Sequence, residues 1–193
     1  KRRLACESLA KMGEDGGSQA EKIGPLLNDV NPGVQGFCAE ALSKMGPSVI
    51  PIVKPYLKSP EPFVRVHAAG VIIKLDPQSE EARKTLIGAF TGLGNADLAN
   101  MATLTILRQG ALMVPELTEI LSSQFADLRI QAVKTLGKLA EKAGPAADAL
   151  IKVAQSDKDW KVRKAAMHSV AAVATVEQST PIFRHAIEEE NEE

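Results

Sequence analysis

Lys11, Lys44, Lys74, Arg108 and Lys138 recur at intervals of 33, 30, 34 and 30 residues along a chain of 193. Side chains of one sign at so regular a spacing can hold an extended anionic surface, provided that the fold brings equivalent positions into one row. The chain offers little else of chemical use. Its histidines, His67, His168 and His185, are none of them followed by glutamate, and its two cysteines, Cys6 and Cys38, form no Cys-x-x-Cys pair. No spacing supports a serine–histidine–aspartate, paired-carboxylate or cysteine–histidine arrangement. No Gly-Lys-Ser/Thr follows the glycine-rich segment 13–18 to cradle a phosphate, so that segment reads as a flexible loop. The sequence therefore leads us to expect no catalytic residue, no metal and no cofactor, with His67 and His168 as polar residues on the flanks of helices.

The elements that would have to align the cations are visible as an internal repeat. An apolar residue followed by a polar one, with small or apolar residues 4, 8 and 11 places on, occurs at Val34-Gln35, Val64-Arg65, Leu128-Arg129 and Val162-Arg163, and more weakly at Leu98-Ala99. The anchors stand 30, 34, 30 and 34 residues apart, and Glu7-Ser-Leu-Ala-Lys-Met-Gly13 returns almost letter for letter as Glu40-Ala-Leu-Ser-Lys-Met-Gly46. Self-similarity at this period is the mark of stacked repeats. Within one copy, Val64, Ala68, Val71, Ile72 and Leu75 gather on one side of a helix. Glycine and proline separate such segments at Gly46-Pro47, Asp76-Pro77 and Gly144-Pro145, which predicts two helices per period. The five cations all fall ten places after an anchor, in the last turn of the second helix.

On Asp157, Asp159, Val162-Arg163, Ala165-Ala166 and Val170, echoed by Asp127, Leu128-Arg129, Ala132 and Leu136-Gly137, the chain resembles the HEAT family, most closely its short-period, PBS-lyase-like branch. Pro51 and Pro115, each thirteen residues before an anchor, look like the proline of the first HEAT helix. The resemblance implies an all-α, right-handed α-solenoid of about five full helix pairs with partial units at its ends. It also implies that the second helices line the concave side and that Arg65, Arg129 and Arg163 pack against turns. HEAT-like deoxyhypusine hydroxylases carry His-Glu pairs as iron ligands, and those are missing here. In the tubulin-binding TOG variety a turn tryptophan beside basic residues touches the partner, and Asp159-Trp160-Lys161 resembles that; the corresponding residues elsewhere are Pro32, Pro62, Ala96 and Ala126. A tryptophan present in one repeat alone is expected rather to cover the end of a core.

Composition agrees with closely packed helices, since 45% of residues are apolar but only 4% aromatic. A solenoid does not split into globular pieces, so residues 1–187 read as a single domain, followed by an acidic tail at 188–193. Lys1 falls at an anchor position with no preceding helix, which reads as a fragment of a longer chain. No apolar core of a signal peptide follows Lys1-Arg2-Arg3. Pro47, Pro51 and Pro55 predict a broken or late-starting helix, Ala96 to Gln109 is the most degenerate copy and predicts a local irregularity, and Pro181 reads as the opening of a final helix. Cys6 and Cys38 lie in adjacent repeats, where a helix spacing of about 8–10 Å opposes a bridge. Two unpaired thiols suit the cytoplasm or another reducing compartment.

Formal charge is −1 overall, which argues against a nucleic-acid or membrane field. It is nonetheless segregated. Second-helix segments from each anchor through the twelfth residue after it hold 13 Lys or Arg and 3 acidic residues, and the remainder holds 10 and 21. A cation in the last turn gains about 0.3–1 kcal/mol from the helix dipole, so the row has a structural explanation beside a functional one. The sequence reading is a protein-interaction scaffold that holds a partner with an acidic surface along its concave face, as part of a larger assembly. Its contacts are Lys44, Lys74, Arg108, Lys134, Lys138, Lys164, His168 and Trp160. Two other readings are a bilin (chromophore) lyase-type subunit, for which no aromatic or thiol lining is seen, and a nucleic-acid- or tubulin-binding module.

Overall fold

A computed structural model describes residues 1–92 and 94–190, with side chains to residue 184. Among the described residues every regular element is helical, and the chain divides into two compact units, Lys1–Gln109 and Gly110–Glu193. In the first unit the second helices are α1 (Arg2–Met12), α3 (Pro32–Leu42), α5 (Pro62–Leu75) and α7 (Ala96–Gln109). Successive members of that series pack on one another. The first helices between them are short. α2 (Ala20–Ile23) and α4 (Ile50–Val53) are each one turn of α-helix flanked by 3-10 stretches, and α6 (Glu80–Phe90) is continuous.

The broken layer follows from proline. Pro47, Pro51 and Pro55 each remove a backbone donor, and the chain answers with 3-10 turns at Pro47–Val49 and Lys54–Lys58 around α4. Residues 13–18, expected as a loop, instead belong to a 3-10 helix, Gly13–Gln19. The reason is packing: Gly16 is buried against the Leu9 carbonyl and Met45, where a side chain would crowd both. The degenerate copy is regular as well. α7 has 14 residues, like α5, and Asn95 Oδ1 accepts the Leu98 N–H at its start. Its threonines return their hydroxyl protons to the helix, Thr103 to Ala99 O and Thr105 to Met101 O, so its polar residues do not interrupt it. α5 lies at the centre of the unit, touching α3, α6 and α7, and Val64, Val66 and residues 68–73 along it are buried.

The second unit pairs α8 (Val114–Ile120) with α9 (Ala126–Leu139), and α10 (Ala147–Ser156) with α11 (Trp160–Val173). α9 packs on α11. Gly137 allows that approach, because a Cβ there would meet Ser169 Oγ at 2.5 Å. The last helix, α12, runs from Val176 to Glu190 rather than opening at Pro181. It is started by a capping box, Thr175-Val-Glu-Gln178: the Thr175 N–H donates to Gln178 Oε1 at 3.0 Å and the Gln178 N–H to Thr175 Oγ1 at 3.3 Å. Of the segment expected as an acidic tail, residues 191–193 lie outside the described residues.

One turn recurs in both units. The carbonyl five residues before an anchor accepts a side-chain N–H from the residue just after that anchor: Gln35 to Asp29 O at 2.7 Å, Arg65 to Ser59 O at 2.7 Å, Arg129 to Ser123 O at 2.8 Å and Arg163 to Asp157 O at 2.8 Å. The side chain at the first of these positions closes the same turn by accepting the N–H two residues on, as at Asp29, Ser59, Ser123 and Asp157. Where that residue is aspartate it also ties one repeat to the one before. Arg2 reaches Asp29 at 2.7 Å, and Arg129 grips Asp157 with two bonds of 2.7 Å.

Arg129 and Asp157 are only 4% and 7% exposed, so each depends on the other for compensation of its charge. The hydrogen bond from Arg129 holds the Asp157 carboxyl below the usual carboxylate range. Asp157→Ala leaves the guanidinium buried and unpaired, and is expected to destabilise the chain by about 3–5 kcal/mol in urea unfolding followed by circular dichroism. A second prediction concerns the twelfth residue after an anchor, which has positive φ in four copies: Gly13 (59°), Gly46 (82°), Gly110 (65°) and Ala140 (50°). A Cβ is disfavoured in that conformation. Ala140→Gly is expected to stabilise by about 1 kcal/mol, read in the same assay.

Candidate functional site

Glycine and small residues set up a cleft in the first unit. A Cβ at Gly70 would come within 2.7 Å of the Thr105 methyl group, so α5 and α7 approach closely there, and Gln109 Nε2 donates to Gly70 O at 3.1 Å across the contact. Beside this contact opens a cleft of about 410 Å³ over α3, α5 and α7. Lys44, Lys74 and Arg108 line it, together with Glu40, His67, Thr105 and Gln109. Three of the five regularly spaced cations thus meet at one place.

The three cations are not equivalent. Lys44 stands just past the end of α3 and pairs with Glu40 at 2.8 Å. Lys74 and Arg108 lie in the last turns of α5 and α7, where they also complement the helix dipole. Both are exposed, and among the described residues no carboxylate lies within ion-pair distance of either. The hydrogen bond from Lys44 holds the Glu40 carboxyl below its ordinary range, with help from the charges of Lys44, Arg108 and Lys74 and against its partial burial. His67 is half-buried, and burial together with the nearby Arg108 pushes its pKa down to about 4. It is neutral at physiological pH. The cleft therefore presents three cations, one carboxylate and a neutral polar wall.

The remaining expected contacts lie elsewhere. Lys11 is exposed on α1 and does not line the cleft. Lys134 and Lys138 are exposed on α9, and Lys164 and His168 on α11, in the second unit. Trp160 does not cover a core, as a solitary turn tryptophan was expected to do. It begins α11 with 59% of its surface exposed, beside a shallow hollow it shares with Lys158 and Lys161, whose amine lies 5.9 Å from the ring. Asp159, the residue before it, caps α11 by accepting the Lys161 N–H at 2.8 Å.

Glu40, His67, Thr105 and Gln109 are cleft residues that sequence reasoning did not select. The i to i+4 spacing of Glu40 and Lys44 was a usable signal, whereas nothing in the sequence showed that Gln109 would reach back 39 residues to Gly70. Cys6 and Cys38 are buried free thiols of the same unit; Cys38 donates to Ile23 O at 2.9 Å, and burial raises both thiol pKa values. Among the described residues no group of three or more His, Cys, Asp or Glu could hold a metal ion, and no helix is long and apolar enough to cross a membrane.

Residues 114–193 match the family model for HEAT repeats. No match was found among curated proteins. Among solved structures, the chain is similar to the complex of CpcE and CpcF of phycocyanin lyase from Nostoc sp. PCC7120, with 15% identity over 79% of this chain and 98% of that one and a TM-score of 0.50. Two engineered proteins match at 18% and 19% identity, both covering 88% of this chain, with 89% and 53% of their own lengths covered and TM-scores of 0.39. At such identities the likeness is one of fold.

His67 makes the first unit sensitive to acid. Its folded pKa of about 4 lies below its ordinary value of 6.5, so the unfolded chain binds the proton more readily. The stability this leaves intact above pH 6.5 is lost as pH falls towards 4, by at most about 3 kcal/mol. Thermal melts of the wild type should fall across that window more than those of His67→Asn, which cannot titrate there.

Proposed function

We propose, on the premise that this chain is a HEAT-repeat protein matched as such over residues 114–193, that it is an interaction scaffold holding a protein partner with an acidic surface along the faces of its second helices. The observation that carries this reading is the pair Lys74 and Arg108, two exposed cations without a carboxylate of their own, converging on a cleft with a polar wall. Their role at the helix ends leaves the side-chain donors unused, so both remain available to an anion. Lys134, Lys138, Lys164 and His168 offer the same chemistry on the second unit, and Trp160 adds an exposed aromatic face beside Lys161.

The Nostoc neighbour is a complex of two chains, which supports a partner-bound role for a fold of this kind. It does not favour bilin chemistry here, since the cleft is lined mostly by polar and charged residues, with no phenylalanine, tyrosine, tryptophan or cysteine among them. A nucleic-acid partner is supported less well, because the cations occur in small groups on a chain of net charge −1.

The test is affinity purification with the wild type, with Lys74→Glu/Arg108→Glu and with Lys44→Glu/Lys138→Glu as bait. All four positions are exposed, so far-UV circular dichroism is expected to match the wild type, with melting lowered by only a few degrees through the lost helix-end and Glu40 interactions. Proteins retained specifically by the wild type should be lost from the first double variant and reduced with the second. Equal recovery by all three would remove the cleft from the functional account.

A further inference from the structure

Glu40 is out of place in a cleft built to receive anions. It projects from α3 towards three cations, it is 53% exposed in its side chain, and it contacts only Lys44 among them, at 2.8 Å. An exposed pair of this kind contributes roughly 0–1 kcal/mol to stability, so the fold does not need it. Its effect on an incoming anion is larger in proportion, since it neutralises one of three cations and repels a second negative charge. The side chains of the cleft leave a net charge of +2 with Glu40 ionised and His67 neutral.

We propose that the cleft is a carboxylate-binding site for an acidic segment of a partner protein, seated between Lys74 and Arg108, and that Glu40 is its resident competitor. This rests on the scaffold reading above and names the ligand chemistry and the regulation of that site. A guest carboxylate takes the unpaired cations first. With a second carboxylate two to four residues along, the guest reaches Lys44 and displaces Glu40 into solvent, which costs little because Glu40 is already half exposed. The Gln109 amide, tied to Gly70 O, and the neutral His67 form a wall that adds no charge. Isolated acidic residues are thereby discriminated against, because only a guest with enough negative charge outbids the carboxylate already present.

An acidic peptide segment is favoured over a nucleic-acid strand by the number of cations each needs. Two uncompensated cations match one or two carboxylates, whereas a nucleic-acid strand recruits many cations along its backbone and meets Glu40 as a repulsive point.

The experiment titrates the full chain into fluorescein-labelled hexaglutamate, and separately into a labelled single-stranded oligonucleotide, by fluorescence anisotropy at low salt. Wild type should bind the peptide, Lys74→Glu/Arg108→Glu should abolish binding, and Glu40→Gln should tighten it about fivefold by removing one nearby like charge in a largely solvated site. Lys44→Gln, which leaves the Glu40 charge without its cation, should weaken binding. Wild-type binding that depends on Lys74 and Arg108 but is unchanged or weaker in Glu40→Gln would overturn the competitor and leave the scaffold reading intact. Absence of peptide binding by both the wild type and Glu40→Gln would overturn the cleft as an acidic-partner site altogether. Tighter binding of the oligonucleotide than of the peptide, lost in the same double variant, would overturn carboxylate in favour of phosphate.

Discussion

The bond from the residue after each anchor back to the carbonyl at the preceding turn is the constraint from which the rest follows. A helix pair can stack on its neighbour only if the turn between its helices has a fixed shape, and a turn against packed helices cannot leave its carbonyls without donors. An unpaired carbonyl costs up to about 1–3 kcal/mol when fully buried and less where, as at these turns, it is partly buried. Gln35, Arg65, Arg129 and Arg163 remove that cost at four turns, with bonds of 2.7 to 2.8 Å. Because one side chain serves both the turn and the helix that follows, the direction of the second helix is set at its first turn. Asp29 and Asp157 extend the device, since their carboxylates also receive an arginine from the previous repeat.

The cleft is a consequence of that regularity inside the first unit. Once α3, α5 and α7 are held in the same orientation, residues ten places after their anchors lie side by side, and Gly70 lets α7 come close enough for them to share one cavity. Helix-end electrostatics and ligand binding are not alternatives here. Lys74 and Arg108 gain from the dipole of their own helices and remain free to hold an anion, because the dipole acts through the backbone and leaves the side-chain donors unused.

The repeat and the pairing of helices were legible because they depend on local rules, apolar period and the placement of proline and glycine, whereas the turn arginines were implied by the family resemblance. The breaks at Pro47, Pro51 and Pro55 were legible for the same reason. Residues 13–18 and 96–109 were misjudged because composition was read without packing. Glycines that look like a flexible loop are compacted against Leu9 and Met45, and a polar helix satisfies its threonines on its own carbonyls. The start of α12 was missed although Thr175 and Gln178 carry a cap signature, since Pro181 drew the boundary instead.

By itself the sequence determined that the chain is a stack of helix pairs and that cations recur at one place in the second helix, because both are periodic properties that survive without coordinates. Which cations share a cavity and which histidine loses its proton affinity were decided by tertiary structure. Those properties depend on distances between helices 30 or more residues apart in sequence, and on how far Glu40, His67 and Gln109 reach across them. Spacing along a chain can align positions. It cannot show which side chains then find one another.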